Sequence, residues 1–334
     1  MVWIKRGISL LLFAILVYLF MPLLKELRGM GALLRQADWA WLVAAVLIQV
    51  VSYLSLAEAN RLLLHPFPGR IRLGRMMGVL PALAFIEVTV PSAGASGIVL
   101  RARLLGKSGY SLEASTFTVA IESLFIGGFM LLAALLGLAY MLRSGEIRIY
   151  QILLLALLTM MLVVAGVIAI WYGRDQEQVK SMALRLNAAA NRWRKKYRRD
   201  CVADEAVVVR VEGFYSGLRQ LDSRITGLSL LTSFGRVSLD IASLGACFLA
   251  FNYRISAGAL LTGYGLMLLV SGLAALPGGL GMADLSLPVI YARLGAPGAV
   301  AVAAALAYRL IAWWLLRFIG FITWQILESK KNEN

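Results

Sequence analysis

The chain has 334 residues, 60% of them hydrophobic and 15% charged, with a mean hydropathy of +0.78. A soluble fold of this length cannot bury so much apolar surface, so the composition excludes a water-soluble globular protein and predicts an all-α polytopic membrane protein. The net charge of +15 therefore reports membrane topology, and we expect no nucleic acid partner.

Six apolar runs are long enough to cross a bilayer, which takes about 20 residues for a perpendicular helix. They span residues 7–24, 39–57, 112–142, 150–172, 228–253 and 298–327. The first run follows Lys5 and Arg6 as a secretory signal would, but no small-residue cleavage pattern follows it. We expect it to be a retained helix.

Two further apolar tracts, residues 76–90 and 257–276, run into glycine-rich breaks and continue as short arms at 98–105 and 285–294. The breaks are PSAGASG at residues 91–97 and LPGGLGMAD at 276–284, with their prolines 186 residues apart. A glycine follows each proline by 18 positions, Gly109 and Gly295. Open backbone survives in a bilayer only where it is buried in protein or lines a cavity, so each tract is predicted to be a re-entrant hairpin. The alternative is that either tract crosses completely and its glycines permit close helix packing.

The distribution of cations gives the topology. With the amino terminus inside and both hairpins returning to the side they entered, 23 of the 33 Lys and Arg residues lie inside and 7 outside. The hairpins then open to opposite sides, so the halves are inverted, as in transporters whose broken helices meet near the midplane. We expect one membrane domain over residues 1–334, in the cell inner membrane, with both termini cytoplasmic. Its halves are about 1–173 and 225–334.

Residues 174–224 are polar and basic. Apolar residues recur at helical spacing from Val179 to Tyr197 against seven Lys and Arg residues, which predicts an amphipathic helix on an anionic membrane surface. A second stripe from Val208 to Leu221 completes a predicted cytoplasmic helical hairpin. The alternative is that the two stripes pack on each other and the basic face is solvated.

Ionisable residues at membrane depth cost on the order of a few kcal/mol each and face a bundle interior or a wet cavity. Arg236 and Asp240 are four residues apart and are predicted to pair on one helix face. No residue of opposite charge stands three or four positions from Glu87, Glu122, Asp284 or Arg309. For these, a structural ion pair across helices, such as Glu122 with Arg309, is the alternative to a ligand site.

Arg309 is the first candidate for an anion ligand, because a guanidinium binds phosphate bidentately and helix amino termini at the breaks add N–H donors. Arg101 and Arg103 follow the first break and either receive a phosphate at the cytoplasmic mouth or snorkel to the interface. The full candidate set for ligand binding is Arg309, Glu122, Asp284, Gly278, Gly279, Gly281, Arg101, Arg103, Arg236 and Asp240.

Catalytic and metal-binding signatures are scarce. The single histidine, His65, has no second metal ligand nearby, and Ser96 has no partnered histidine. Cys201 and Cys247 also lack metal-ligand neighbours, and the chain has no P-loop. We therefore expect no enzyme activity, no cofactor and no metal.

The second break, with Gly295 and the Tyr308-Arg309 pair, resembles the membrane family that includes the flippase domain of lysylphosphatidylglycerol synthases. The first break and the acid in VAIES at residues 119–123 also resemble this family, so the similarity covers nearly the whole chain. In two places the chain departs from the pattern: Asp284 stands where glutamate is usual, and the first break has fewer glycines.

The resemblance implies an inner-membrane protein that translocates lipid, in some members fused to an aminoacyl-transferase domain. We expect this chain to lack such a domain and a separate enzyme to do any lipid modification. The expected function is a flippase that moves a phosphorylated phospholipid or glycolipid head group through a midplane cavity. The alternatives are a membrane-embedded transferase acting on a lipid-linked substrate and a non-catalytic scaffold for a synthase.

Overall fold

The computed structural model describes residues 35–89, 95–144, 160, 175–196, 201–273 and 282–329, and these residues form helices and turns without any strand. In chain order the helices are α1 (Trp39–Leu63), α2 (Leu73–Thr89), α3 (Ala95–Gly106), α4 (Leu112–Ser144), α5 (Gln176–Lys196), α6 (Asp204–Gln220), α7 (Ser223–Ala250), α8 (Ala257–Leu273), α9 (Met282–Arg293), α10 (Gly298–Tyr308), a π turn (Arg309–Trp314) and α11 (Leu315–Ser329).

Four helical segments within the described residues are long and apolar enough to cross a membrane: Trp39–Leu63, Leu112–Arg143, Ser223–Ala250 and Gly298–Ile326. They match four of the six predicted spans, and the other two, at 7–24 and 150–172, lie outside the described residues apart from Met160. Helix α1 runs past the end of its predicted apolar run to Leu63, and Glu58 and Arg61 pair within this last part at 2.6 Å. The protein is therefore an all-helical membrane protein.

Each predicted hairpin is a pair of helices in contact, α2 with α3 and α8 with α9. The joining segments, residues 90–94 and 274–281, lie outside the described residues, and so do Gly278, Gly279 and Gly281. Asp284 lies in the first turn of α9, where the positive end of the helix dipole favours an acidic residue.

The second arm of each pair ends in the same way. Gly109 and Gly295 have φ of +84° and +99°. The N–H of each glycine bonds the carbonyl three residues back, and the next residue, Tyr110 or Ala296, bonds the carbonyl five residues back. These bonds form a Schellman motif, which requires a left-handed residue and so favours glycine. The matched glycines seen in the sequence are therefore matched helix ends.

The helix contacts also recur between the two halves. Helix α1 packs on α7. Two further contacts correspond to each other: α4 packs on α8, and α11 packs on α2. At both of these corresponding contacts the helices are too close for an added methyl group. A Cβ on Gly265 would clash with Ala134, and a Cβ on Gly320 would clash with the Pro81 carbonyl. Small residues of this kind let helix backbones approach inside a membrane.

Helices α5 and α6 form the predicted hairpin outside the spans. Asn187 and Asn191 donate to the Val202 carbonyl at 3.0 and 2.8 Å, which closes the turn between the helices. The apolar stripe of α5 does not all enter this contact, since Met182 and Leu186 are 59% and 61% exposed. The two helices pack on each other, as in the alternative prediction, but Met182 and Leu186 stay outside this contact.

We predict that Gly295→Ala lowers the melting temperature of the purified protein. An L-residue at φ +99° is strained by roughly 1–2 kcal/mol. Gly106→Ala is the matched control, because Gly106 is helical and nothing lies within 4 Å of the position that an added Cβ would take. The measurement is thermal unfolding in detergent, followed by tryptophan fluorescence. Equal melting temperatures for the two variants would contradict the assigned helix end.

Candidate functional site

A buried carboxylate joins four helices. Asp240 on α7 is 4% exposed. One carboxylate oxygen accepts from Gln49 Nε2 and Arg236 Nη1, each at 2.9 Å. The other accepts from the hydroxyls of Tyr264 at 2.5 Å and Tyr308 at 2.9 Å. Donors from α1, α7, α8 and α10 thus meet at one side chain.

The ion pair predicted between Arg236 and Asp240 is confirmed. Arg236 also donates to Ser52 Oγ at 2.6 Å and lies over the Tyr53 ring at 5.3 Å. Ser52 in turn donates to the Arg236 carbonyl at 2.9 Å. Both charged side chains are therefore engaged within the protein, which gives them a structural role in this conformation.

A second ion pair connects the first hairpin to the following span. Arg101 on α3 donates to Glu122 Oε2 on α4 through Nη1 at 3.2 Å and Nη2 at 3.3 Å. The suggested pairing of Glu122 with Arg309 is wrong: α3 packs directly on α4 and brings Arg101 to this carboxylate. Arg103 faces outward and is exposed, so the two candidate arginines of α3 have different environments.

Arg309 opens the π turn and is 5% exposed. Its guanidinium carbon lies 4.7 Å from the centre of the Trp313 ring, and that of Arg317 lies 3.6 Å from the same ring. Cation–π contacts of this kind stabilise a guanidinium away from water. Arg317 also donates to the Trp313 carbonyl at 2.9 Å. Trp313 and Arg317 were not identified from the sequence. Arg309, Trp313 and Arg317 follow one another at intervals of four residues, which places them on one helix face.

Charged groups of the first half lie within electrostatic reach of Arg317. Glu87 on α2 interacts electrostatically with Arg317, Arg101 and Glu122. The four side chains, two acidic and two basic, come from α2, α3, α4 and α11. We call this set the charged cluster. In the part of the chain that the structure describes, no group of three or more His, Cys, Asp or Glu could hold a metal ion.

Comparison with known proteins shows that the chain is similar to membrane proteins along most of its length. The family model of the lysylphosphatidylglycerol synthase transmembrane region matches residues 6–320. A UPF0104 membrane protein from Methanothermobacter thermautotrophicus is 24% identical over 328 residues, covering 95% of this chain and 92% of the relative. Another match to a UPF0104 membrane protein of this organism is 28% identical over 247 residues, covering 72% of each chain.

We predict that Tyr308→Phe destabilises the protein more than Tyr291→Phe. Tyr308 donates to the Asp240 carboxylate, and hydrogen bonds to charged groups contribute about 1.5–3 kcal/mol. The control, Tyr291, is equally buried but donates to the neutral carbonyl of Leu260, a bond that contributes about 0.5–1.5 kcal/mol. Denaturant titration in mixed micelles measures both losses. A smaller loss of unfolding free energy for Tyr308→Phe than for Tyr291→Phe would contradict the assignment of Asp240 as the centre of the network.

Proposed function

Because the chain belongs to the lysylphosphatidylglycerol synthase transmembrane-region family, we propose that it is a flippase. It moves the phosphorylated head group of a phospholipid or glycolipid across the cell inner membrane, while the acyl chains stay in the bilayer. The observation that carries the proposal is the burial of Arg309, 5% exposed, in the span Gly298–Ile326. An arginine at the centre of a span costs roughly 2.5–3.5 kcal/mol on insertion scales, which favours a functional reason for it. Arg101, on the short helix α3, is buried to the same degree, at 6%.

In this proposal the halves form an inverted repeat of six full spans and two re-entrant hairpins, α2–α3 and α8–α9. The matched left-handed glycines, Gly109 and Gly295, support it. So do the paired crossings of α4 with α8 and of α11 with α2. Both termini and the α5–α6 hairpin are cytoplasmic, in keeping with the positive charge of that region.

The charged cluster, together with Arg309, which contacts the same Trp313 ring as Arg317, is the proposed path of the head group. A phosphate replaces the Glu122 carboxylate at the Arg101 guanidinium, because both anions fit the same planar fork. Glu122 is then free to take up a proton or to contact a head-group ammonium. The Asp240 carboxylate already accepts from four donors, so it holds the helices in place during this exchange. Movement is passive or driven by a gradient.

The α5–α6 hairpin is proposed to rest on the anionic inner surface. Exposed Met182 and Leu186 provide an apolar strip, and Arg185 between them is exposed as well. Amphipathic helices with this composition bind at the head-group boundary. A separate lipid-modifying enzyme is the proposed supplier of any modified substrate.

We test the function with Arg309 variants in proteoliposomes that contain fluorescent phosphatidylglycerol, quenched from outside by dithionite. Wild-type protein should expose the inner-leaflet probe faster than empty liposomes do. Arg309→Lys keeps the charge without the planar fork and should retain partial activity. Arg309→Ala should lower the flipping rate roughly tenfold or more, because it removes a hydrogen bond to a charged group that contributes about 1.5–3 kcal/mol. Arg254→Ala, exposed in a loop, is the control. A wild-type rate equal to that of empty liposomes contradicts the proposal.

The topology has its own test, because Cys201 is exposed and Cys247 is buried. A membrane-impermeant maleimide added to intact cells should leave Cys201 unlabelled, since the α5–α6 turn is cytoplasmic in this arrangement. It should label Arg254→Cys placed in a Cys201→Ser chain. Labelling of Cys201 from outside would contradict the inverted repeat.

A further inference from the structure

An apolar groove lies between α1, α2 and the π turn that leads into α11. Helix α1 contributes Val46 and Val50, α2 contributes Met77, and the opposite wall contains Ile311 and Ile319. The groove has a volume of about 130 Å³, well below the roughly 300–1,000 Å³ of sites that take a whole small ligand. It therefore fits a segment of a long molecule whose remainder lies outside the protein.

Both walls of the groove depart from regular α-helix. Pro81 lies inside α2 and also lines the groove. A proline within a helix has no N–H, so the carbonyl four residues earlier, that of Met77, lacks its helical donor. The facing wall includes Ile311 of the π turn, and π turns inside α-helices occur frequently at functional sites.

One buried polar atom in the groove lacks a hydrogen-bond donor. Gln49 lines the groove, is 4% exposed and donates through Nε2 to Asp240. Only the amide nitrogen can donate to a carboxylate, so this bond fixes the orientation of the amide. Its oxygen, Oε1, then accepts from no donor among the residues that the structure describes. A buried acceptor without a donor is unfavourable, so a ligand that donates an O–H or N–H at this position would be stabilised.

The rim of the groove indicates where the ligand comes from. Val50, Leu315 and Ile319 are 49%, 43% and 43% exposed on helices long enough to cross a membrane. A chain can therefore enter sideways from the bilayer. Gln49 lies near the middle of α1, so a polar group bound there belongs to a lipid that is part-way across.

We propose that this groove, which opens to the bilayer, receives an acyl chain of a lipid in transit at the boundary between protein and bilayer, and that the head group of this lipid donates an O–H or N–H bond to Gln49 Oε1. The inference rests on the proposed flippase function and adds a substrate class to it. A head group with a hydroxyl, as in phosphatidylglycerol, or with a primary ammonium can donate the hydrogen bond that Gln49 Oε1 lacks. The quaternary ammonium of phosphatidylcholine has no hydrogen to donate.

The test is photolabelling of the full chain in nanodiscs with phosphatidylglycerol that carries a diazirine on its acyl chain. Labelled residues are mapped by mass spectrometry. The expected sites are the groove residues of α1 and α11. Val50→Trp fills the groove and should lower this labelling by roughly tenfold, equivalent to about 1.4 kcal/mol of binding. Val51→Trp is the matched control, because Val51 is equally exposed, at 48%, but does not line the groove.

Equal groove labelling in the Val50→Trp and Val51→Trp variants would overturn the inference. A diazirine-labelled phosphatidylcholine should label the groove several-fold less than phosphatidylglycerol does, and equal labelling would overturn the role of Gln49. Oxidative dimers of a Val50→Cys chain without groove labelling would assign the groove to a second copy. Lipid flipping without groove labelling overturns this inference alone, whereas groove labelling without flipping overturns the flippase proposal.

Discussion

The Asp240 carboxylate is the interaction on which the helix arrangement depends. Inside a bilayer the hydrophobic effect does not drive helices together, so close packing and interhelical hydrogen bonds decide how they associate. Asp240 accepts from groups on α1, α7, α8 and α10. Because each donor must face the same two oxygens, the bonds fix the rotation of those four helices about their own axes. The crossings at Gly265 and Gly320 then set how closely the remaining helices pack.

The ion pairs Arg236–Asp240 and Arg101–Glu122 differ in how many further bonds hold their side chains. Arg236 and Asp240 are held by further bonds to Ser52, Gln49 and two tyrosines. Arg101 and Glu122 meet at 3.2 and 3.3 Å, and the Glu122 side chain is 16% exposed. In the proposed function, a ligand anion replaces Glu122 and the helix scaffold around Asp240 stays in place. The second pair, beside Glu87 and Arg317, therefore suits exchange.

The two halves share a pattern but have diverged at equivalent positions. Glu122 and Tyr308 are 186 residues apart, the same separation as the prolines of the two breaks. Glu122 binds Arg101 within the charged cluster, whereas Tyr308 donates to Asp240. One half thus contributes an ion-paired acid where the other contributes a neutral phenol bound to Asp240. In the proposed inverted repeat, this difference assigns the ligand to one half and helix packing to the other.

The sequence by itself determined the helical membrane class, the bounds of α4 to within two residues, the two broken tracts and the pairing of Arg236 with Asp240. These features are local, since they depend on apolar run length, on glycine and proline positions and on the helical repeat. Only the tertiary structure decided that Arg101 is the partner of Glu122, that Gln49 reaches Asp240 across 191 positions, and that a groove lies between α1 and α11. Those contacts depend on how separate helices are rotated and how closely they approach. Apolar periodicity in one helix carries no information about which residue of another helix it will face.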